Sequence, residues 1–440
     1  MDDEDAGAAP SDAGADSPDG GPDPGPTRAE LYSADTTQSP LTPHVAANLR
    51  QIAALVPDAR GDVFAKIGDD STASSNFLRC FGSGVIAPGP SQDPGSIDLD
   101  GRDHLQPTIA RLRDGDADGS DPFQRASLAA APGWTAQDLL SGDPAPLDRE
   151  YAALSPRFAM IMLGTNDVDD RAFYDFGNDL RSLVEHTTAA GIIPILSSVM
   201  PRDDSPAADA EVVRFNAITR GVAQAAQIPF IDLHRELAAL PDHGLGEDLI
   251  RPSVYRNASD QPVPCAFAND ALQYGYNLRN LLSIEALDRV VRVVEDDAPA
   301  PDSSQRTLAG AGLSYDPFVI GELPFAHAAD TGQSSSRMID RYDGCGANQN
   351  ESGPEYIYRF DVDRAMTVRA MVIDRDGADI DVHLMRDGIA GEFCVQRNHR
   401  AITGELEPGT YYFNLDTFVT SGGTELVGEY MFVLVEEPGS

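Results

Sequence analysis

Four short stretches carry side chains suited to chemistry, and most of them follow an apolar run. Gly68-Asp69-Asp70-Ser71 ends the run VFAKI at 63–67, and Gly164-Thr165-Asn166-Asp167 ends FAMIML at 158–163. Between them Ala131-Pro132-Gly133-Trp134-Thr135 is a turn entering a helical pattern. Asp248-Leu249-Ile250-Arg251 lies in the loop 245–255, beyond IPFIDL at 228–233. A serine hydroxyl attacks a carbonyl once a base takes its proton, and an amide or glycine N–H can hold the oxyanion that forms. Arginine cannot be that base, because it stays protonated at any working pH.

These stretches need a frame that brings them together. HVAANLRQIAALV at 44–56 has apolar residues at helical spacing. The runs at 63–68, 158–164, 192–199 and 228–233 read as buried strands, separated by helical patterns at 171–190 and 207–226 and closed by an amphipathic helix over 270–294. Strands alternating with helices predict a parallel sheet covered on both faces, with its site at the carboxyl ends of the strands. The polar stretch 295–305 is a linker, and YIYRFDV, TVRAMVID, IDVHLM, GTYYFNLD and YMFVLVEE beyond it are short strands between turns, an all-β sandwich pattern. The division expected is a disordered acidic stalk over 1–40, an α/β domain over 41–296, a linker over 297–308 and a β-sandwich over 309–437. These boundaries put two cysteines in each half, which predicts Cys80–Cys265 and Cys345–Cys394; the alternative is four free buried thiols.

In order and context the four blocks resemble those of the SGNH (GDSL) hydrolase family, over roughly residues 60–295. The family's G-D-S block corresponds to Gly68–Ser71, its oxyanion-hole glycine to Gly133, its G-x-N-D to Gly164–Asp167, and its D-x-x-H to Asp248–Arg251. The resemblance implies a three-layer, flavodoxin-like fold and esterase-type chemistry. Aligned without a gap, however, the nucleophile position holds Asp70, with Ser71 one place later, and the histidine position holds Arg251. Only the Asp248 position is kept. A carboxylate at the nucleophile position repels the charge that the transition state develops. In the family these two side chains face each other, so Asp70 and Arg251 are expected to form a charge-assisted, two-point ion pair that Asp248 shares.

The reading is therefore a catalytically degenerate, exported ligand-binding or surface module, without cofactor or metal, that takes a carbohydrate or ester ligand near Gly133 and Asn166. The alternative is an active esterase or acetylhydrolase on carbohydrate or lipid esters that uses Ser71 in a shifted register with a displaced base such as His243. Adjacent Cα atoms lie about 3.8 Å apart, while catalytic groups tolerate about 0.5 Å, so the shift needs a local bulge.

In the second half, Arg341–Cys345, Glu351-Ser352-Gly353-Pro354-Glu355 and Pro408-Gly409-Thr410-Tyr411-Tyr412 resemble the bacterial pre-peptidase C-terminal domain, over about residues 310–436. That family's domains are accessory modules of secreted enzymes, which implies export and favours the Cys345–Cys394 pairing. Asp374, Asp376, Asp379, Asp381 and His383 form an acidic run that could offer oxygens to calcium, but ordinary turn and strand-edge carboxylates are the reading taken.

A net charge of −39, with Lys66 the only lysine, excludes a generic attraction to nucleic acid or anionic membrane. No stretch approaches the length of a membrane span. Residues 1–27 lack the apolar core of a signal peptide, so a secreted, periplasmic or cell-surface location implies an export signal not present in this chain. A monomer is expected.

Overall fold

The run Val63–Ile67 forms most of the first strand of a parallel sheet. The computed structural model describes residues 29–268, 270–303 and 306–437. In chain order the first six strands are β1 (Arg60–Gly68), β2 (Val85–Ile86), β3 (Ser96–Ile97), β4 (Pro156–Met162), β5 (Ile193–Ser197) and β6 (Phe230–Ile231). The main sheet runs β1-β4-β5-β6, all parallel, while β2 and β3 form a small ladder of their own. Every residue of β4 is buried, which requires cover on both faces. Gly68 pairs with Met162, and Met162 with Ser197, so the segments leaving these three strands emerge side by side.

Helices Pro43–Leu55, Phe173–Ala189, Pro206–Ala226 and Gly275–Val294 stand where the spacing places them. Two elements are shorter than read. Asp232 accepts a bond from the backbone N–H of Arg235 at 3.2 Å and caps helix Leu233–Ala238, which ends β6 after two residues. The helix expected from 270 begins at Gly275, because Tyr274 is extended (φ −107°, ψ 133°). A Cβ on Gly275 would stand 2.8 Å from Pro252 Cβ, so this glycine lets the helix start pass close beneath the 245–255 loop.

The stalk expected over 1–40 is a correction in its later part. Residues 1–28 lie outside the described residues, but 29–40 pack onto the α/β domain. Tyr32 is buried with its hydroxyl donating to Ile228 O at 2.9 Å, and Gln227 receives the Glu30 N–H at 2.8 Å. The linker is strapped down as well: the Asp302 carboxylate accepts from the Leu41 N–H at 2.6 Å and from Arg289 at 2.5 Å.

The C-terminal domain is an all-β sandwich of β7 (Phe318–Ile320), β8 (Phe325–Asp330), β9 (Glu355–Val362), β10 (Met366–Asp374), β11 (Ile380–Arg386), β12 (Cys394–Asn398), β13 (Ala401–Leu406), β14 (Gly409–Thr417) and β15 (Glu429–Glu436). Its sheets are β13-β10-β15-β8 and β12-β11-β14-β9-β7. Both disulfides, Cys80–Cys265 and Cys345–Cys394, are formed.

Alternation along β10 and β15 divides their side chains between two cores. Val368, Ala370, Val372, Tyr430, Phe432 and Leu434 fill the sandwich. Met371, Ile373, Met431, Val433 and Val435 point the other way, into the core of the α/β domain. One face of the sandwich is thus closed by helices Phe173–Ala189 and Pro206–Ala226.

On β8, His327 Nδ1 lies 2.8 Å from the Tyr358 hydroxyl, which in turn lies 2.7 Å from that of Tyr430. Burial pushes the His327 imidazole down to about 4. The folded state therefore binds this proton less readily than the unfolded chain. Its contribution is complete above the ordinary imidazole range and is lost as pH falls through 6.5 toward 4. Denaturant midpoints measured across that interval are expected to show a loss of order 2 kcal/mol from this group, and His327→Gln to flatten that limb.

Candidate active site

The segments leaving β1, β4 and β5 converge at one edge of the sheet. Gly68 N donates to Ala129 O at 3.0 Å and Ala131 N to Gly68 O at 3.3 Å, so residues 129–131 run beside β1 and bring the Gly133 turn to the same edge. Gly133 is exposed at φ +78°, a left-handed conformation that favours glycine. Asn166 Nδ2 donates to the Trp134 carbonyl at 3.0 Å, tying the end of β4 to this turn. Asp167 is buried and accepts from Ala136 N at 3.0 Å; burial pushes its carboxyl up to about 6.

Asp69 caps the turn Asp70–Ala73 by accepting the Ser71 N–H at 2.9 Å. This cap fixes which way the next two side chains point. Asp70 meets Arg251 Nε, while Ser71 is fully buried and its Oγ has no hydrogen-bond partner among the described residues. Arg251 Nη1 donates to Asp248 Oδ2 at 2.7 Å, and Asp248 Oδ1 accepts the backbone N–H groups of Ile250 (3.1 Å) and Arg251 (2.9 Å).

Arg251 therefore bridges two carboxylates, one nitrogen to each, instead of forking onto Asp70 alone. Asp70 and Asp248 hold its guanidinium more firmly protonated than usual. Burial opposes the charge on Asp248, but the two backbone N–H groups and Arg251 outweigh it and keep that carboxyl below the usual range. The result is an acid–base–acid cluster in which two carboxylates share one guanidinium.

His243 is paired away from Ser71. It is half-exposed, with Nδ1 2.9 Å from Asp203, and makes no bond to Ser71. A cleft of about 1090 Å³ opens on the Asp248–Arg251 side, lined also by Ser74, Arg256, Tyr274 and Tyr276. Gly133, Trp134 and Asn166 do not line it, and Trp134 packs partly buried against the core. Arg202 is a site-edge residue that the sequence reading passed over. It is buried and holds Thr165 O at 2.7 Å, Asp169 at 2.9 Å and Asp204 at 2.7 Å. It follows β5, so the rule that sites form where strands end points to it.

Residues 101–254 match the GDSL-like Lipase/Acylhydrolase family. The α/β domain belongs to that family. The span matched to the GDSL-like family holds Gly133, Asn166, Asp248 and Arg251 and begins after Asp70 and Ser71. Among solved structures, an acetylxylan esterase from Geobacillus stearothermophilus is similar at 16% identity, covering 51% of this chain and 93% of its own, with a TM-score of 0.31. A GDSL-like lipase from Bacteroides thetaiotaomicron is 18% identical over 56% of this chain and 98% of its own, with a TM-score of 0.31. The pre-peptidase C-terminal domain of a collagenase from Bacillus anthracis is 16% identical over 26% of this chain and 91% of its own, with a TM-score of 0.18. No curated protein matches the chain. Among the described residues, no helix is long and apolar enough to cross a membrane.

Proposed function

We propose that this is a non-hydrolytic member of the GDSL-like family, an exported module that binds a carbohydrate or ester ligand in the cleft beside Arg251. The observation that carries the reading is Arg251 set between Asp70 and Asp248. Where the family's chemistry needs a hydroxyl and a neutral imidazole, this chain has a carboxylate and a guanidinium bonded to each other. The cleft offers half-exposed Arg251 and Arg256, and Tyr274 in edge contact with Tyr255 at 5.4 Å. Such a mixture of charged donors and aromatic faces suits a polar ligand with apolar ring or acyl surfaces. Two formed disulfides support export, since such bonds persist in oxidising compartments.

The test is hydrolysis of p-nitrophenyl acetate by the purified protein and by Ser71→Ala. Both are expected to stay at the buffer rate. Activity lost in Ser71→Ala makes Ser71 the nucleophile and overturns the proposal. Activity unchanged by that substitution overturns it equally, and places the chemistry elsewhere.

A further inference from the structure

The second domain carries a polar cluster that the GDSL-like site does not use. Along β11, Ile380, Val382 and Leu384 face the sandwich core, so alternation turns Asp381, His383 and Met385 to the opposite side. That side is roofed by residues 339–354. The roof is fastened at one end by the Cys345–Cys394 disulfide, since Cys394 begins the neighbouring strand β12. Further along, the Glu351 N–H donates to Asp340 O at 3.1 Å and the Val419 N–H to Asn350 O at 2.8 Å. Gly353 lets the chain press onto β14, where a Cβ would stand 2.6 Å from the Thr417 carbonyl. The roof is thereby held so that Glu351 points down onto Asp381 and His383.

All three side chains are buried, Glu351 and His383 completely. One ligand atom from each lies within 4.8 Å of the others. Both carboxylate oxygens of Glu351 and both ring nitrogens of His383 lack a hydrogen-bond partner among the described residues. Four such atoms in one dry place are costly unless something serves them. A proton shared between Glu351 and Asp381 would serve the acids alone. A cation serves all three groups together.

The surroundings are arranged as a metal site's would be. Tyr342 stacks on His383 (centroids 3.5 Å apart, planes at 9°) and is itself held by Asp416 at 2.5 Å and Asn414 at 2.6 Å. Arg397 and His399 (3.2 Å) hold Asp381 from outside. Bonds of about 2.1 Å in tetrahedral geometry put ligand atoms about 3.4 Å apart, so atoms that now lie within 4.8 Å of one another close by up to about 1.4 Å on binding.

We propose that Glu351, Asp381 and His383 form a structural site for a divalent transition metal of the zinc class. The nitrogen ligand sets it apart from a calcium site, which takes oxygens alone, and with both unpartnered oxygens of Glu351 bound the three residues supply the four donors of a closed, structural site. The acidic run of the sequence is divided here: Asp381 and His383 are ligands, while Asp374 accepts the Tyr174 hydroxyl at 2.6 Å and the Ile380 N–H at 3.0 Å.

The full-length protein, stripped with EDTA, is titrated with ZnCl2 and in parallel with CaCl2, by calorimetry and thermal melting. One equivalent of zinc is expected to bind and raise Tm by several degrees, and His383→Gln and Glu351→Gln to weaken it by about tenfold or more. Zinc that leaves heat and Tm unchanged, with Glu351→Gln at least as stable as the parent, identifies a proton-sharing acid pair and overturns the proposal. A response to calcium and none to zinc overturns the ion class. Zinc binding that His383→Gln leaves intact places the ion elsewhere and overturns the site.

Discussion

The double substitution Asp70→Ser with Arg251→His is expected to raise the hydrolysis of p-nitrophenyl acetate about 10³-fold over the parent, the scale of a positioned general base. The rest of the arrangement is already present. Asp248 lies three residues before position 251 and contacts its side chain at 2.7 Å, where it would orient an imidazole. The side chains at positions 70 and 251 are in contact, and the Gly133 turn and Asn166 stand at the same sheet edge. Either single change should do little. Asp70→Ser alone leaves a guanidinium that cannot accept a proton, and Arg251→His alone leaves an imidazolium paired with Asp70. Adding Ser71→Ala to the double variant should keep the gain, because Ser71 is buried without a partner. A folded double variant with no more activity than the parent would show that more than these two positions has been lost.

The sheet was legible because a parallel strand buried on both faces writes a continuous apolar run, and β1, β4 and β5 each overlap one such run. The Asp70–Arg251 contact was legible because the two departures from the family pattern are complementary in charge. That Asp248 shares Arg251 was expected too; that each acid takes a single nitrogen, in place of a two-point pair with Asp70, was not legible, since it depends on loop geometry. The orientation of Ser71 follows from the Asp69 cap, which fixes a turn and not a register. Glu351 lies 30 residues before Asp381, and only the disulfide-pinned roof brings it there. Residues 29–40 carried one signal that went unused: Tyr32 is a large apolar side chain inside the proposed stalk, and it is buried. The interface between the domains had its signal as well. MFVLV in β15 is apolar at both parities, which a sandwich strand open to water on one side would not be.

That interface leads to the second large effect, from Gly177→Val and Gly221→Ile. The missing side chains at these helix positions are what admit the sandwich. A Cβ at 177 would stand 2.6 Å from Ile373 Cδ1, and one at 221 would stand 2.8 Å from both Ala326 Cβ and Met431 Sδ. These are buried apolar atoms of the shared core, so the added volume must lever the domains apart or force strained rotamers, at about 1–3 kcal/mol per site. The polar rim is mixed: Arg214–Glu437 is a two-point pair at 2.9 and 2.6 Å with both partners mostly buried. Arg181–Glu429 at 3.0 Å is a pair whose acid is largely exposed, and such pairs contribute about 0–1 kcal/mol. Because the domains share one core, the parent should unfold in a single calorimetric transition, and the wedge variants in two, the first at lower temperature. Glu429→Gln, by contrast, should shift Tm little. No residue beyond 276 lines the cleft. A wedge added to the Asp70→Ser, Arg251→His protein should therefore leave its esterase rate unchanged below the first transition. A single unshifted transition in Gly177→Val would mean that the domains are joined by the strap and rim alone. A fall in the esterase rate of the wedged protein while both domains remain folded would mean that the C-terminal domain shapes the cleft from across the sheet.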